Sequence, residues 1–227
     1  MTTENAGAFD PASVLDPVEI RVLAVLAEKE ALTPDNYPMS LNAIGTGANQ
    51  LSSRDPVMAL SDEEVQDTLQ RLMDRKLVSC ITQAGARVAK YEHRMRIKWS
   101  LEQDKVAILT VLMLRGPQTA GEVRTRTGRL HEFKSVAEVE AGLQFLIDKY
   151  PPLVAKLDRA PGTKEHRYGH LLGGEIELAS QESGASERGG VAPSGGRIGQ
   201  LEQEVTTLRG EVEALKAQFE EFRKQFE

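Results

Sequence analysis

Glu64-Val65-x-x-x-Leu69-x-x-Leu72 and Glu138-Val139-x-x-x-Leu143-x-x-Leu146 are one string written twice, 74 residues apart. Apolar residues at i, i+4 and i+7 make each copy the buried stripe of an amphipathic helix. Each copy follows a helix-start signal, Ser61-Asp62-Glu63-Glu64 in the first and Ser135-Val136-Ala137-Glu138 in the second. There the serine hydroxyl caps backbone N–H groups and the glutamate reaches back.

Working outward, the neighbours repeat as well. Upstream of the first copy, Asp16-Pro17-Val18-Glu19 opens a buried helix running to about Glu30 through Ile20, Leu23, Ala24 and Ala27. Ser40 to about Asn49 predicts a short second helix, weakened by Gly45 and Gly47. Downstream, the β-rich runs Leu77–Gln83 and Arg87–Arg94 flank Ala84-Gly85-Ala86 as a hairpin. In the second unit Val106, Leu109, Val111 and Leu112 give a buried helix that ends at Gly116-Pro117, and Thr119-Ala120-Gly121-Glu122 opens a short one. Leu153–Leu157 and Arg167–Leu171 form the hairpin around Pro161-Gly162. Helix–helix–helix–hairpin, twice, is the order of tandem winged-helix domains, a variant of the helix-turn-helix. The fold class expected is therefore mainly α with small β-hairpins. Its parts are a disordered N-terminus 1–15, winged-helix domains at 16–99 and 100–172, a flexible linker at 173–196 and a coiled coil at 197–227.

The coiled coil is read from an unbroken 3-4 alternation: Ile198, Leu201, Val205, Leu208, Val212, Leu215, Phe219, Phe222 and Phe226. Ile, Val or Phe stands at a and Leu or Phe at d, and the combination of β-branched a with leucine d favours a parallel homodimer. The g-to-e' pairs Arg197–Glu202, Glu204–Arg209, Glu211–Lys216 and Gln218–Arg223 contain no like charges. The competing reading is a single amphipathic helix folded back on the body; the strict 3.5-residue period argues against it.

The chain has 227 residues and a formal charge of −6 from 28 basic and 34 acidic side chains. The acidity sits at the ends. Residues 1–16 carry three carboxylates and no base, and residues 174–227 carry 11 carboxylates against 6 bases. The middle is neutral to slightly basic, so any nucleic-acid surface must be a local patch. One cysteine, Cys80, excludes an internal disulfide and any multi-cysteine zinc site. Its alternation with apolar neighbours predicts a core position. No apolar run reaches 18 residues and the N-terminus has no signal-peptide pattern, so the expectation is a cytoplasmic protein with no membrane segment.

Three basic clusters are the candidate nucleic-acid contacts. Arg87, Lys90, Arg94, Arg96 and Lys98, with His93, follow the first wing and the connector. Arg124, Arg126, Arg129 and Lys134, with His131, lie on the second helix of unit two and the loop after it. Arg159, Lys164 and Arg167, with His166, mark the second wing. These would touch phosphates without reading bases; the competing reading is solvated faces or partners of the chain's own acids. The third helices begin with carboxylates (Asp62, Glu63, Glu64 and Asp67; Glu138 and Glu140) and do not suit base reading. An enzyme is not expected. No phosphate loop, Gly-x-Ser-x-Gly or His-Glu-x-x-His occurs, and His166-x-x-x-His170 falls in a strand, so no catalytic residue, metal or cofactor is assigned.

Two groups of strings resemble the YceH-like bacterial proteins. The first is Tyr37-Pro38-Met39-Ser40-Leu41-Asn42-Ala43 with Asn49-Gln50-x-Ser52-Ser53-Arg54-Asp55-Pro56-Val57-Met58. The second is Arg115-Gly116-Pro117-Gln118-Thr119, Arg124-Thr125-Arg126 and Gly128-Arg129-Leu130-His131-Glu132-Phe133. Gly45-Thr46-Gly47-Ala48 is richer in glycine than that family's pattern, which carries a cysteine there. The resemblance spans about residues 15–172. It implies a tandem winged-helix fold, like that of a condensin-associated segregation protein, and no established activity. The polar cluster Asn49, Gln50, Ser52, Ser53, Arg54 and Asp55 has two readings. Arg54 and Asn49 bind a partner or phosphate, or the serines and Asp55 turn the chain while Arg54 pairs with a carboxylate; the second is preferred. Leu130 and Phe133 are expected to pack, with Arg129 and His131 outward. The function expected is a non-enzymatic DNA-binding regulator or scaffold acting as a dimer; the alternative is an adaptor whose winged helices dock another protein.

Overall fold

The computed structural model describes residues 14–82, 88–159 and 165–174. Arg87, Lys164, the N-terminal residues 1–13, the linker from 175 and the heptad positions Ile198 to Phe222 lie outside the described residues.

Helix α1 (Pro17–Leu32) starts at a complete capping box: Asp16 accepts from the Val18 and Glu19 N–H groups, and Glu19 accepts from the Asp16 N–H. Every residue from Glu19 to Glu28 is buried, so α1 is an all-round core helix rather than a surface one. Helix α2 (Leu41–Ala48) is regular despite its glycines, capped by Ser40. The reason is contact: a Cβ on Gly47 would lie 2.6 Å from Val25 Cγ1, so glycine is what lets α2 sit on α1. That packing outweighs a propensity cost of about 1 kcal/mol. Helix α3 (Asp62–Asp74) buries Val65, Thr68, Leu69 and Leu72 and exposes its carboxylates. It ends earlier than the expected Lys76 because Lys76 adopts φ 60°. The Leu77 N–H then donates to the Leu72 carbonyl and the Lys76 N–H to the Met73 carbonyl, the Schellman closure.

Strands β1 (Val78–Ile81) and β2 (Lys90–His93) pair antiparallel, Val78 opposite His93 and Cys80 opposite Tyr91. Met39, between α1 and α2, bridges Tyr91 and adds a one-residue edge. A four-residue helix, α4 (Met95–Lys98), leads into the second unit. There α5 (Gln103–Arg115) is buried from Val106 to Leu114 and closes at Gly116, φ 69°. Strand β3 (Gln118–Thr119) precedes α6 (Ala120–Thr127), capped by Thr119 in a full box with Glu122. Helix α7 (Val136–Ile147) is capped by Ser135, but Glu138 accepts from the Lys134 N–H rather than from the cap, so only half the expected box forms. Strands β4 (Val154–Lys156) and β5 (Arg167–His170) complete a sheet of order β3-β5-β4. Both units thus place a short strand residue between their first two helices and pair it with their last strand, a feature the sequence pattern did not reveal.

The two units share one apolar core, with α1 against α5 and with Leu23, Leu26, Ile108, Leu109, Leu112, Leu143 and Leu146 fully buried. The ends are stitched: the Leu15 N–H donates to the Leu172 carbonyl at 2.8 Å. At the other side the Asp55 N–H donates to the Leu114 carbonyl at 2.8 Å, so the α2–α3 loop caps the end of α5. The architecture is therefore mainly helical with small antiparallel sheets. One expectation is corrected here: Cys80 is exposed, not core. It lies two positions beyond the buried pair Val78 and His93.

Candidate nucleic-acid interface and inter-repeat cleft

The polar cluster splits into groups that build the fold and groups that face solvent. Arg54 is buried, with Nη1 and Nη2 donating to the two carboxylate oxygens of Glu28 at 3.1 and 2.6 Å. Its Nε and Nη2 also donate to the Gly47 carbonyl, and Nη2 to Gln50 Oε1. Burial pushes the Glu28 carboxyl up, but the hydrogen bonds and charge of Arg54, with Lys29 beside it, hold it below the usual range. Asn49 exchanges two 2.8 Å hydrogen bonds with the backbone of Leu60. Both residues therefore hold the α2–α3 loop; the preferred reading expected a carboxylate partner for Arg54 and gave Asn49 no structural role. Ser52, Ser53 and Asp55 remain exposed at its tip, with Ser53 at φ 63°.

This loop and its counterpart in the second unit line one cleft of about 360 Å³, bordered by Glu28, Lys29, Thr33, Gln50, Ser52, Ser53 and Arg129. The arrangement is reciprocal. Residues at the end of α1 face Arg129 of the second unit's loop, while Arg115 at the end of α5 donates to Ser53 Oγ of the first unit's loop. Burial lowers the Arg115 pKa, and the nearby Arg126 and Arg54 charges lower it further. The two motif groups, 57 or more residues apart in sequence, thus meet at a junction rich in guanidinium groups. Lys29, Thr33 and Arg115 were not singled out as site residues; for Arg115 the signal was its place in the second motif.

The basic clusters meet different fates. Lys90, Arg96 and Lys98 are exposed on β2 and α4, and none has a side-chain hydrogen bond or close ion pair among the described residues. Arg96 adds only its field to the lowering of the Glu30 pKa, which the His93 hydrogen bond causes first. Arg94 pairs with Glu92 at 3.2 Å. Buried His93 accepts the Met95 N–H at Nδ1, which leaves Nε2 to donate to Glu30 at 2.9 Å, so it serves the fold. Arg124 turns to the carbonyls of Phe133 and Lys134 and braces the α6–α7 loop. Arg126 lies 3.8 Å from Glu122, whereas Arg129 and Lys134 are exposed with no side-chain partner among the described residues. Phe133 is buried as expected; His131 is half-buried, edge-on to it at 4.7 Å, rather than fully outward. Arg159 donates to His166 Nε2 and Arg167 to the Pro117 carbonyl.

No group of three or more His, Cys, Asp or Glu side chains among the described residues is placed to hold a metal. His166 is committed to Arg159 and the Leu157 carbonyl. His170 Nδ1 is buried with no hydrogen-bond partner among the described residues, and burial pushes the imidazole down to about 4. No helix among the described residues is long and apolar enough to cross a membrane.

The family profile described as "Protein of unknown function, DUF480" matches residues 15–163, close to the span of the resemblance read from the motifs. A UPF0502 protein of Herminiimonas arsenicoxydans is 61% identical over 216 residues, covering 91% of each chain. One from Janthinobacterium sp. is 66% identical over 198 residues, 87% of this chain and 85% of the relative. One from Azoarcus sp. is 53% identical over 204 residues, 90% of each.

Proposed function

This chain belongs to the DUF480 family, whose members here carry the name UPF0502, and from that premise we propose that it is a non-enzymatic tandem winged-helix protein that binds the phosphate backbone of DNA. The winged-helix reading is supported by the recurring order of three helices and a hairpin, and by the short strand that pairs with each hairpin's last strand. The observation that carries DNA binding is the run of exposed cations Lys90, Arg96 and Lys98, with Arg129 and Lys134, none of them in a close ion pair among the described residues. The exposed face of α3 holds Asp62, Glu63, Asp67 and Asp74. It would repel phosphates, so contacts come from hairpin, connector and loops and carry no base readout. The heptads at 197–227, which lie outside the described residues, supply a second copy, and two weak sites on one dimer gain through effective concentration.

Fluorescence anisotropy with random-sequence duplex DNA between ~50 and ~200 mM salt tests this. The expected result is micromolar binding that weakens steeply with salt. Replacing Lys90, Arg96 and Lys98 together by Ala should lower the salt slope by about 3 and weaken all sequences alike. No binding at the lowest salt overturns the proposal. The acidic face of α3, with exposed Val57 nearby in sequence, favours a second reading in that case: an adaptor docking a basic protein surface.

A further inference from the structure

We propose that the cleft between the two units is a binding site for a phosphoryl group, presented by a small phosphorylated molecule or by a backbone phosphate. The site shares Arg129 with the DNA-binding reading, whose cations Lys90, Arg96 and Lys98 lie on β2 and α4 and are not part of the cleft lining. The cleft volume of about 360 Å³ lies in the lower part of the roughly 300–1,000 Å³ range of small-molecule sites. Apart from Leu32 and Leu51 its lining is polar, so it offers little to an apolar ligand.

The donors are those a phosphoryl group needs. Arg129 offers an exposed guanidinium with no partner among the described residues; Lys29 offers an ammonium, and Ser52 and Ser53 offer hydroxyls. The one carboxylate on the lining, Glu28, is already engaged by both terminal nitrogens of Arg54 and by Lys29 at 3.3 Å. Behind Ser53 stands Arg115, with Arg126 near it. The end of α1 opposes an anion with about half a negative charge. Glu122 lies beside Arg126 and Asp55 acts on the buried Arg21, and the cations Lys29, Arg54, Arg115, Arg126 and Arg129 outnumber Glu28, Glu122 and Asp55. Ser53 adopts φ 63° at the lip, backbone strain held by Arg54 bonding its carbonyl and Arg115 bonding its hydroxyl. Such strain concentrates where a binding geometry is pre-set.

Isothermal titration of the full-length protein with inorganic phosphate, pyrophosphate and adenosine monophosphate, at constant ionic strength, reads the site directly. One or more of these probes should bind saturably. Arg129→Ala should weaken binding about tenfold or more, and Arg129→Lys less. Lys98→Ala, which is not on the cleft lining, should leave it unchanged while weakening DNA binding. Ser52→Glu, an exposed change, should abolish binding without lowering the melting temperature. A duplex that displaces adenosine monophosphate, with Arg129→Ala losing DNA affinity, would assign the phosphoryl group to a nucleic-acid backbone; no displacement would assign it to a small molecule. No binding by any probe up to ~10 mM, well past the ~1 mM weak limit, overturns the site. Equal weakening by Arg129→Ala and Lys98→Ala also overturns it.

Discussion

Arg54 and Glu28 form a two-pronged ion pair, at 3.1 and 2.6 Å, that ties the α2–α3 loop to the last turns of α1. The arginine side chain is fully buried and that of the glutamate is 11% exposed. Removing one partner strands the other's charge, which costs about 3–5 kcal/mol. Arg54→Ala should therefore lower the urea midpoint more than Glu28→Gln does, and the apolar pair Glu28→Leu with Arg54→Met should recover much of the loss. The Glu28 pKa is depressed, so its contribution is full above the ordinary carboxylate range and is lost as pH falls below it. Urea titrations of wild type and Glu28→Gln should converge on that acid limb.

Gly47 meets Val25 with no room for a methyl group. Gly47→Ala should destabilise by about 1–3 kcal/mol although alanine is the better helix former. Val25→Ala should relieve part of the cost in the double variant, read as a coupling in a double-mutant cycle. Simple additivity would mean that α2 moves freely on α1.

His170 is pushed down to about 4 by burial, against about 6.5 in the unfolded chain. Below 6.5 the unfolded state takes up the proton first. Stability is therefore full above pH 6.5 and falls as pH drops from there towards about 4. His170→Asn, neutral throughout, should flatten that part of the stability profile; an unchanged slope would show that another group titrates there.

Deleting residues 197–227 should convert a dimer into a monomer in sedimentation equilibrium and leave helix content of the remaining chain intact. A truncated protein that stays dimeric would remove the parallel zipper from the account.

Much of the fold was legible because its signals are local. Capping serines, threonine and aspartate sit where the backbone of α1, α2, α3, α6 and α7 needs acceptors, and the 74-residue offset exposed the repeat directly. Strand β3 and the Met39 bridge were not legible, because one or two residues carry no alternation and only a partner strand defines them. Cys80 was misplaced because alternation says which face a residue takes, not whether anything covers that face.

The candidate site divides the same way. Sequence alone determined the composition of the two motif groups, the run of basic residues and the heptads, since periodicity and charge are properties of the chain itself. Tertiary structure decided which cations are free. Arg124, which shares a basic cluster with Arg129 in the sequence, is committed to loop carbonyls, and Arg54 to Glu28, whereas Arg129 faces an open cleft. The physical reason is that pairing depends on groups brought within about 3 Å from distant positions. Only the packing of α1 on α5, with each unit's loop set beside the other's helix end, makes those distances.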